Sequence, residues 1–435
     1  MNATRKIIEF AAADHALPDH VKTTALYLLG DTLAGGAAGA ASSEAQAMLS
    51  AVQRWGAGID ARLLGSSDRL PAPSAAWFNG FAIHCLEWDA VHEPAVVHAM
   101  SVVTAALLAS SDRMGGCDQD DFLTALAVGV DIASGLGVAA TGGMQFFRPA
   151  TAGVIGASLA VARLEGFATE KFPDILGLAY SQTAGTMQAH VEASIALPLQ
   201  IANAARAAIT AVDLVSAGMD GPHDALEGPF GYYQLIEPGD LTLYTDNMGK
   251  GWLIEDVSVK PFPSGRASHG ILGALDNMLR DGALDSSRIV ALDIAAPPLI
   301  HRLVGRPYKA DMSASYARLC LPFLVPLMLR DGIVDPRCFT SQEFGNPDLL
   351  KLGEKVTVRI DGNPDHNALT PQSLTITLRD GSKVERKITD NLGSPSAPMS
   401  EAQTGSKLDL ARNLASSNHD PRIFDDPLAY ATEPQ

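Results

Sequence analysis

The chain has 435 residues, of which 47% are hydrophobic and 19% are charged, as is typical of globular proteins with a large buried core. Acidic residues outnumber basic residues by 49 to 32, which gives a formal net charge of -17. This balance argues against nucleic acid or an anionic membrane surface as the main partner. A small anionic ligand would therefore need a local group of basic side chains.

Four cysteines are widely spaced and form no CxxC pair, which favours reduced thiols over a disulfide framework or a zinc site. The N-terminal residues contain no apolar signal core, and no run of 18 or more apolar residues occurs. We therefore expect a cytoplasmic protein without a membrane partner.

Residues 1–255 predict a single all-α domain. Helices are expected at about 21–35, from Ser42 or Ser43 onward, and at 75–89, 100–110, 120–137, 151–164, 175–187 and 199–215. Most are rich in alanine and glycine and poor in charge, which is typical of helices buried on several sides. Asp19 is the expected N-cap of the first of them.

Residues 256–395 predict a smaller α+β domain. Strands are expected at 287–296, 354–361, 374–378 and 383–388, with a turn joining the last two, and helices at about 267–280, 313–331 and 346–350. The predicted fold class is therefore mainly α, with a large helical domain and a smaller α+β lid. We expect residues 396–435 to pack back on the helical domain, with a helix to Ser416 and irregular structure after it.

A dense group of titratable residues lies at the end of the third predicted helix and in the loop after it. It consists of His84, Glu87, Asp89, His92, Glu93 and His98. These groups are costly to bury without partners, so we expect them to line a polar cavity. Histidine exchanges a proton near neutral pH, and a carboxylate can fix its tautomer. His98 is the first candidate for an acid or base, oriented by Glu87 or Asp89, and His92 is another.

Two alternatives apply to this group. His92 and His98, with Glu87 or Asp89, could ligate zinc or iron, but their spacing matches no compact ligand motif such as HExxH. We therefore predict no metal. A polar helix end with surface histidines is the simpler alternative.

A second basic stretch runs from Lys260 to His269, with the sequence KPFPSGRASH. Its two prolines prevent a regular helix, and a helical pattern follows Gly265. Arg266 and His269 would then lie at a helix N-terminus, where an anion is favoured. This arrangement suits a carboxylate or phosphate ligand; the alternative is an ordinary surface loop with solvated cations.

Two weaker candidates lie elsewhere in the helical region. Arg148 precedes a helix rich in glycine and alanine and could bind a carboxylate, although a role in bridging helix ends is at least as well supported. His190 is a lone histidine in a loop, where a structural role is the usual one. The glycines form neither GxGxxG after a strand nor GxxxxGK[ST], so we predict no nicotinamide, flavin or nucleotide cofactor.

Three of these segments carry a family resemblance. They are DTLAGG from Asp31, the stretch from Phe78 to His98, and above all Lys260–His269. The last is similar to the signature K-P-[YF]-P-x-C-R-x-x-H of the 2-methylcitrate dehydratase family (MmgE/PrpD), which includes 2-methylcitrate dehydratase, cis-aconitate decarboxylase and iminodisuccinate epimerase. The resemblance implies a helical domain and a lid with the site between them, a homodimer, and cofactor-free proton chemistry on a small di- or tricarboxylate.

The chain departs from the family pattern at several positions of the implied site. Glu87 stands where the family has Asp, and Ala90-Val91 replaces Asp-Thr. The family's His-Pro-Thr becomes Arg148-Pro-Ala, and a Lys and a His of another segment become Leu197 and Gln200. The implied pocket still favours anions but is more apolar, which argues against 2-methylcitrate itself as substrate.

The residues and the resemblance together predict a lyase or isomerase that removes a proton next to a carboxylate, with dehydratase-like elimination favoured. Lys260 and Arg266 would stabilise the developing enolate charge, with Arg148 on a second carboxylate. Epimerisation, decarboxylation and a carboxylate-binding protein that has lost its chemistry are the alternatives. A metal-dependent hydrolase using His92 and His98 is a further one.

The remaining assignments follow from the same resemblance. His269 is the second choice for an acid or base and is counted, like His190, among the substrate-binding residues.

Overall fold

Helices make up most of the regular structure in the computed structural model, which describes residues 2–365 and 368–434. The longer helices span Ala3–Ala12, Asp19–Ala40, Ser43–Val52, Ala72–His84, Ala99–Met114, Gln119–Val138, Gly153–Leu164, Phe172–Ser181, Ala196–Ser216, His269–Arg280, Leu321–Asp331 and Glu401–Leu414. The prediction of a mainly α fold is therefore confirmed.

Shorter helices connect these elements. They span Arg148–Thr151, Gln188–Glu192, Tyr232–Leu235, Thr242–Thr245, Pro298–Val304, Ala314–Ala317, Ser341–Phe344, Pro347–Gly353, Arg422–Asp425 and Pro427–Thr432. The last two occupy a part of the chain for which irregular structure was expected. The single helix expected at 313–331 is divided into two, at Ala314–Ala317 and Leu321–Asp331.

A four-stranded sheet lies in the C-terminal half. Ile289–Ala296 is an inner strand, pairing in parallel with Val356–Ile360 and antiparallel with Gln372–Leu378, which pairs in turn with Lys383–Ile388. The expected hairpin between the last two strands is thus present. Two small ladders complete the strands of the described chain: Ala61–Arg62 with Arg69–Leu70, and Val91–His92 with Val257–Ser258.

Buried apolar side chains form two cores. The first gathers residues between 3 and 259, and the C-terminal segment adds Ala411, Ile423 and Tyr430 to it. The second core draws on residues 262–388. The domain boundary at 255/256 and the role of the second part as a lid remain predictions.

Two helix ends differ from the sequence-based expectation. Pro18 occupies the N-cap of helix Asp19–Ala40 and Asp19 lies in its first turn, where the carboxylate still faces the positive end of the helix dipole. The helix expected at 75–89 ends at His84. Glu87 has a φ of 55°, a left-handed conformation that cannot continue a right-handed helix.

Helix Gln119–Val138 is long and apolar enough to cross a membrane by length and composition, and it is the one such helix in the described parts of the chain. In the structure, 89% of its apolar window is buried by the rest of the protein. Core helices share this composition, and its neighbours here are helices Ala99–Met114 and Gly153–Leu164. We therefore describe it as a core helix.

Candidate active site

A two-residue ladder joins the two stretches that were expected to carry the chemistry. Strand Val91–His92, in the histidine-rich stretch, pairs antiparallel with strand Val257–Ser258. The second strand ends two residues before Lys260. Nearby, the indole N–H of Trp88 donates to the carbonyl oxygen of Pro261 at 3.2 Å. Backbone pairing thus brings the two stretches together, although they are far apart in the sequence.

Glu93 strengthens this junction. Its Oε1 accepts hydrogen bonds from Ser258 Oγ at 2.6 Å and from Arg266 Nη2 at 2.6 Å, and its Oε2 accepts one from Asn391 Nδ2 at 3.0 Å. Burial favours the neutral acid, but Arg266 and the hydrogen bonds outweigh it, so the pKa of Glu93 is lowered. An ionised carboxylate therefore ties three distant segments together.

Lys260 is fully buried between two carboxylates. Its ammonium donates to Glu87 Oε2 at 3.0 Å and to the Glu87 carbonyl oxygen at 3.1 Å, and it lies 3.5 Å from Asp89 Oδ1. Burial alone would raise the pKa of Glu87, but Lys260 and the nearby histidines lower it to about 2. The pKa of Asp89 is held well below its ordinary value by His84, His98 and Lys260. Both carboxylates are therefore ionised at neutral pH.

His84 and His98 both contact the carboxylate of Asp89. Their rings are 4.8 Å apart and edge to face, and each Nδ1 lies 2.9 Å from the same oxygen, Asp89 Oδ2. His98 Nδ1 is also 3.1 Å from the carbonyl oxygen of Ala90. Because a carboxylate and a carbonyl only accept, both Nδ1 atoms carry the proton. His84 Nε2 has no hydrogen-bond partner in the described chain and lies 3.6 Å from Glu87 Oε1.

The pKa values of the two imidazoles are shifted in opposite directions. Burial lowers the pKa of His84, but Asp89 and Glu87 more than compensate, so the pKa is raised above 6.5. Burial also lowers the pKa of His98; Asp89 opposes this, but Lys260 and His84 add to it, and the pKa stays below 6.5. Of the two rings, His84 therefore binds a proton more readily than His98. Opposite shifts of this kind are characteristic of a general acid and base that work side by side.

A cavity of about 80 Å³ opens beside this pair. Its polar wall consists of His84, Glu87, Glu93, His98, His190 and Arg266. The remaining wall is apolar, with Phe147 and Leu197 from the first core and Ala267 and Val304 from the second. The cavity thus lies between the two cores, as most ligand sites at a junction of folding units do.

Arg266 lines this cavity, but its N–H groups already donate hydrogen bonds to protein acceptors. Nε and Nη2 bind Glu93 Oε1, Nη1 donates to the carbonyl oxygens of Leu392 at 2.7 Å and Val259 at 3.3 Å, and Nη2 also donates to the carbonyl of Asn391 at 3.2 Å. Guanidinium has five N–H groups, and these five hydrogen bonds to four acceptor atoms engage all three of its nitrogens. The predicted substrate contact would therefore require one of these bonds to break.

Arg148 does not reach the cavity, which contradicts its predicted role as a carboxylate clamp. Its Nε and Nη2 bind the buried carboxylate of Glu237, with Nε 2.8 and 2.9 Å from the two oxygens. Nη1 donates to the carbonyl oxygen of Ala95 at 2.9 Å and Nη2 to that of Gly142 at 3.3 Å. The guanidinium is neutralised within the first core, so the alternative structural role is the correct one.

His92 and His269 make local contacts with their own segments and do not face the cavity. His92 Nδ1 accepts from the backbone N–H of Ala95 at 3.1 Å, and burial lowers its pKa to about 4. His269 lies between Ser264 and Arg266, and burial together with Arg266 holds its pKa well below 6.5. Neither is among the described residues that line the cavity. The roles expected for them in catalysis and substrate binding therefore remain predictions.

His190 does line the cavity. Burial, with a smaller contribution from Arg306, lowers its pKa to about 4. A neutral imidazole at this place offers one donor and one acceptor to a ligand.

The same cluster has the spacing of a metal site. One ligand atom each from His84, Asp89 and His98 lie within 4.8 Å of one another. However, the ammonium of Lys260 is 3.5 Å from Asp89 Oδ1, and both Nδ1 atoms already face the carboxylate. A cation here would be repelled by Lys260, so the donor set fits an ion-paired acid and base better than a metal.

His84 belongs to the predicted cluster, but no role was predicted for it. His84 and Asp89 are five positions apart in the sequence, a separation that is unfavourable for side-chain contact along a regular helix or strand. The contact arises because the helix ends at His84 and the chain turns back at Glu87. Glu87 and Val96, both with φ near 55°, are two of the non-glycine residues with positive φ in the described chain. Each costs about 1–3 kcal/mol, and such strain tends to gather at functional sites.

Family models and known proteins match most of this chain. Residues 7–243 match the MmgE/PrpD N-terminal domain and residues 262–423 match the MmgE/PrpD C-terminal domain. Human cis-aconitate decarboxylase is 25% identical over 92% of this chain and 86% of its own length. The mouse protein of that name is 26% identical over 78% and 72%, and that of Aspergillus terreus is 23% identical over 90% and 85%. The chain belongs to the MmgE/PrpD family.

Proposed function

We propose that this protein is a cofactor-independent lyase that acts on a small di- or tricarboxylate by proton transfer at the carbon next to a carboxylate. The observation that carries the proposal is the pair of neighbouring histidines, His84 and His98, which share Asp89, line one cavity and have pKa values shifted in opposite directions. The activity named for the relatives, cis-aconitate decarboxylase, supports the substrate class. An isomerase is the second choice.

In the favoured elimination, His98 Nε2 removes the proton from the carbon. The electron pair of the C–H bond forms the new double bond, and the hydroxyl on the next carbon leaves as water with the proton of His84 Nε2. Asp89 holds both rings in the required tautomer and stabilises the imidazolium of either state. Lys260 keeps the two carboxylates charged and in place. Each histidine returns to its starting state by exchanging one proton with solvent.

Decarboxylation is a second candidate, supported by the names of the relatives. A carboxylate would leave as CO₂, and the electron pair left on carbon would take the proton of His84 Nε2. The apolar part of the cavity favours this loss of charge, because a carboxylate is less stabilised there than in water. The same acid thus serves either reaction.

The test is a panel of malate, citramalate, citrate and cis-aconitate incubated with the protein in D₂O and followed by proton NMR. We expect one acid to lose or exchange a proton at the carbon next to a carboxylate, and His98→Gln to slow this by about a hundredfold. His223→Gln is the matched control, since His223 is an exposed histidine paired with Asp174. Binding without exchange would favour a member that has lost its chemistry, and full activity in His98→Gln would refute the proposal.

A homodimer, which rests on the family resemblance, also remains a proposal, as do a cytoplasmic location and a helical domain with a separate lid, which were expected from the residue pattern. Sedimentation equilibrium of the full chain at micromolar concentration would test the first.

A further inference from the structure

The cations that were expected to bind the substrate are all engaged by protein carboxylates. Lys260 lies between Glu87 and Asp89, Arg266 is bound by Glu93, and Arg148 is bound by Glu237. In a substrate with two or more carboxylates, the one distant from the reacting carbon therefore has no free cation on the main cavity wall. Burying that carboxylate without a charged partner would be costly.

Arg318 is a buried guanidinium whose partners are incomplete. Its exposure is 4%, and its Nε has no hydrogen-bond partner in the described chain. The carboxylate paired with it, on Glu44, is 4.0 Å away from Nη1, at the outer limit of an ion pair. The guanidinium carbon lies 5.3 Å from the ring centre of Phe339, which holds the group in place without occupying its N–H donors. Buried donors normally have partners, so this one is a candidate for a ligand contact.

Arg318 also lies next to the proposed site. It lines a small hollow of about 10 Å³, room for one water or one carboxylate oxygen, that shares His84, Glu87 and Leu197 with the main cavity. Its carbonyl oxygen accepts from the backbone N–H of Gly265 at 3.0 Å, which fixes it relative to the basic stretch. The shared lining residues show that the two hollows adjoin each other.

We propose that Arg318 binds a second carboxylate of the substrate, the one distant from the reacting carbon, and thereby determines specificity for di- and tricarboxylates. The idea rests on the function proposed above. A guanidinium N–H donates a strong, charge-assisted hydrogen bond to a carboxylate oxygen, and the Nε of Arg318 is a donor without a partner in the described chain. The incoming carboxylate would take the place of the distant Glu44. Leu197, which borders both hollows, would lie against the carbon chain between the two ends.

The experiment measures kcat and KM for whichever of malate, citramalate, citrate and cis-aconitate the wild type converts fastest. Arg318→Gln should raise KM by tenfold or more and change kcat by less than about threefold, and Arg318→Lys should lie between. Arg206→Gln is the control, because Arg206 also lies over an aromatic ring, Trp55, but is exposed. A KM in Arg318→Gln within twofold of the wild type would overturn the inference and leave the proposed function intact.

A second variant tests the inference even if Arg318→Gln does not fold. Glu44→Gln keeps Arg318 and removes its competing carboxylate, so KM should fall severalfold; an unchanged KM would overturn the inference. If the wild type converts none of the four acids, the proposed function fails first and this inference fails with it. The two failures are therefore distinguishable.

Discussion

At the scale of single residues, the site depends on how one carboxylate serves two histidines. Asp89 Oδ2 lies 2.9 Å from the Nδ1 of both His84 and His98 and also accepts from Ser101 Oγ. Two imidazolium rings 4.8 Å apart would repel each other, so the second proton is bound more weakly than the first. The geometry therefore produces one acid and one base from two like residues.

The reaction rate should follow a bell-shaped pH profile. His98 must be neutral to accept a proton, and its pKa is below 6.5, so kcat/KM should fall as the pH drops through that pKa. His84 must be charged to donate, and its pKa is above 6.5, so kcat/KM should fall again as the pH rises through it. A profile measured from about pH 4.5 to 9.5 that kept rising on the alkaline side would contradict the role of His84.

Lys260 is less suited to a test of catalysis by substitution. Its removal would leave Glu87 and Asp89 facing each other in a buried place, which costs about 3–5 kcal/mol. A loss of activity in Lys260→Ala would therefore report on folding as much as on chemistry. Substitution of His98 leaves the pair of Lys260 and Glu87 intact and is the clearer experiment.

Contacts within the charged cluster could be predicted from the sequence, whereas contacts with a distant part of the chain could not. Lys260, Glu87 and Asp89 do meet, because so much charge in an apolar chain must be paired when it is buried. Arg148 was misassigned because its partner, Glu237, lies 89 residues further along the chain. A pattern shows which residues need partners, but not which partner the fold brings to them.

At the scale of elements, helix Glu401–Leu414 reaches the site from the end of the chain. The ammonium of Lys407 is buried, lies 2.5 Å from Asp31 Oδ1, and donates to the carbonyl oxygen of Trp88 at 3.2 Å. Trp88 stands between Glu87 and Asp89. Helix Glu401–Leu414 thus holds the backbone of the turn that carries both site carboxylates.

Lys407→Met should therefore lower both stability and rate. The free energy of unfolding should fall by about 3–5 kcal/mol, because Asp31 loses its buried partner. In the double variant Asp31→Asn/Lys407→Met, most of that loss should be recovered, but kcat should stay low because the Trp88 carbonyl still lacks its donor. Denaturant unfolding and steady-state kinetics of both variants measure this.

The matched control lies on the same helix. Arg412 is half exposed and pairs with Asp425, so Arg412→Gln should change stability by less than about 1 kcal/mol and leave the rate unchanged. If the double variant regained the full rate, Lys407 would act only through stability and would not position the site.

Element types followed from the sequence better than element ends did. The alternation of apolar and polar residues predicted strands at 374–378 and 383–388, and the structure has them at Gln372–Leu378 and Lys383–Ile388. The end of helix Ala72–His84 was missed because no glycine or proline marks it; the left-handed turn is at Glu87 instead. Since the site is built on this turn, its geometry could not be read from residue pattern alone.

At the scale of the whole molecule, the net charge of -17 and the balanced charges of the site are separate features. Lys260 and His84, whose pKa is raised, lie against the ionised Glu87 and Asp89. Much of the acidic surplus therefore lies outside the site and slows the approach of anionic substrates rather than attracting them. We infer that recognition depends on short-range contacts inside the cavity, where charges are screened less than in bulk water.

Stability should fall as the pH is lowered from 6.5 towards 4, because buried neutral histidines must be protonated on unfolding. His92 and His190 have pKa values of about 4 when folded against 6.5 unfolded, so their contribution is complete above 6.5 and is lost as the pH falls through 4. Each adds about 1.4 kcal/mol per pH unit inside this window. The raised pKa of His84 acts above pH 6.5, where its stabilisation is lost as the pH rises, so it does not change the slope in this window. Denaturant unfolding at pH 7, 5.5 and 4.5 measures the slope, which should become shallower in His92→Gln/His190→Gln and stay unchanged in His223→Gln. An equally steep slope in the double variant would mean that other groups control the acid sensitivity.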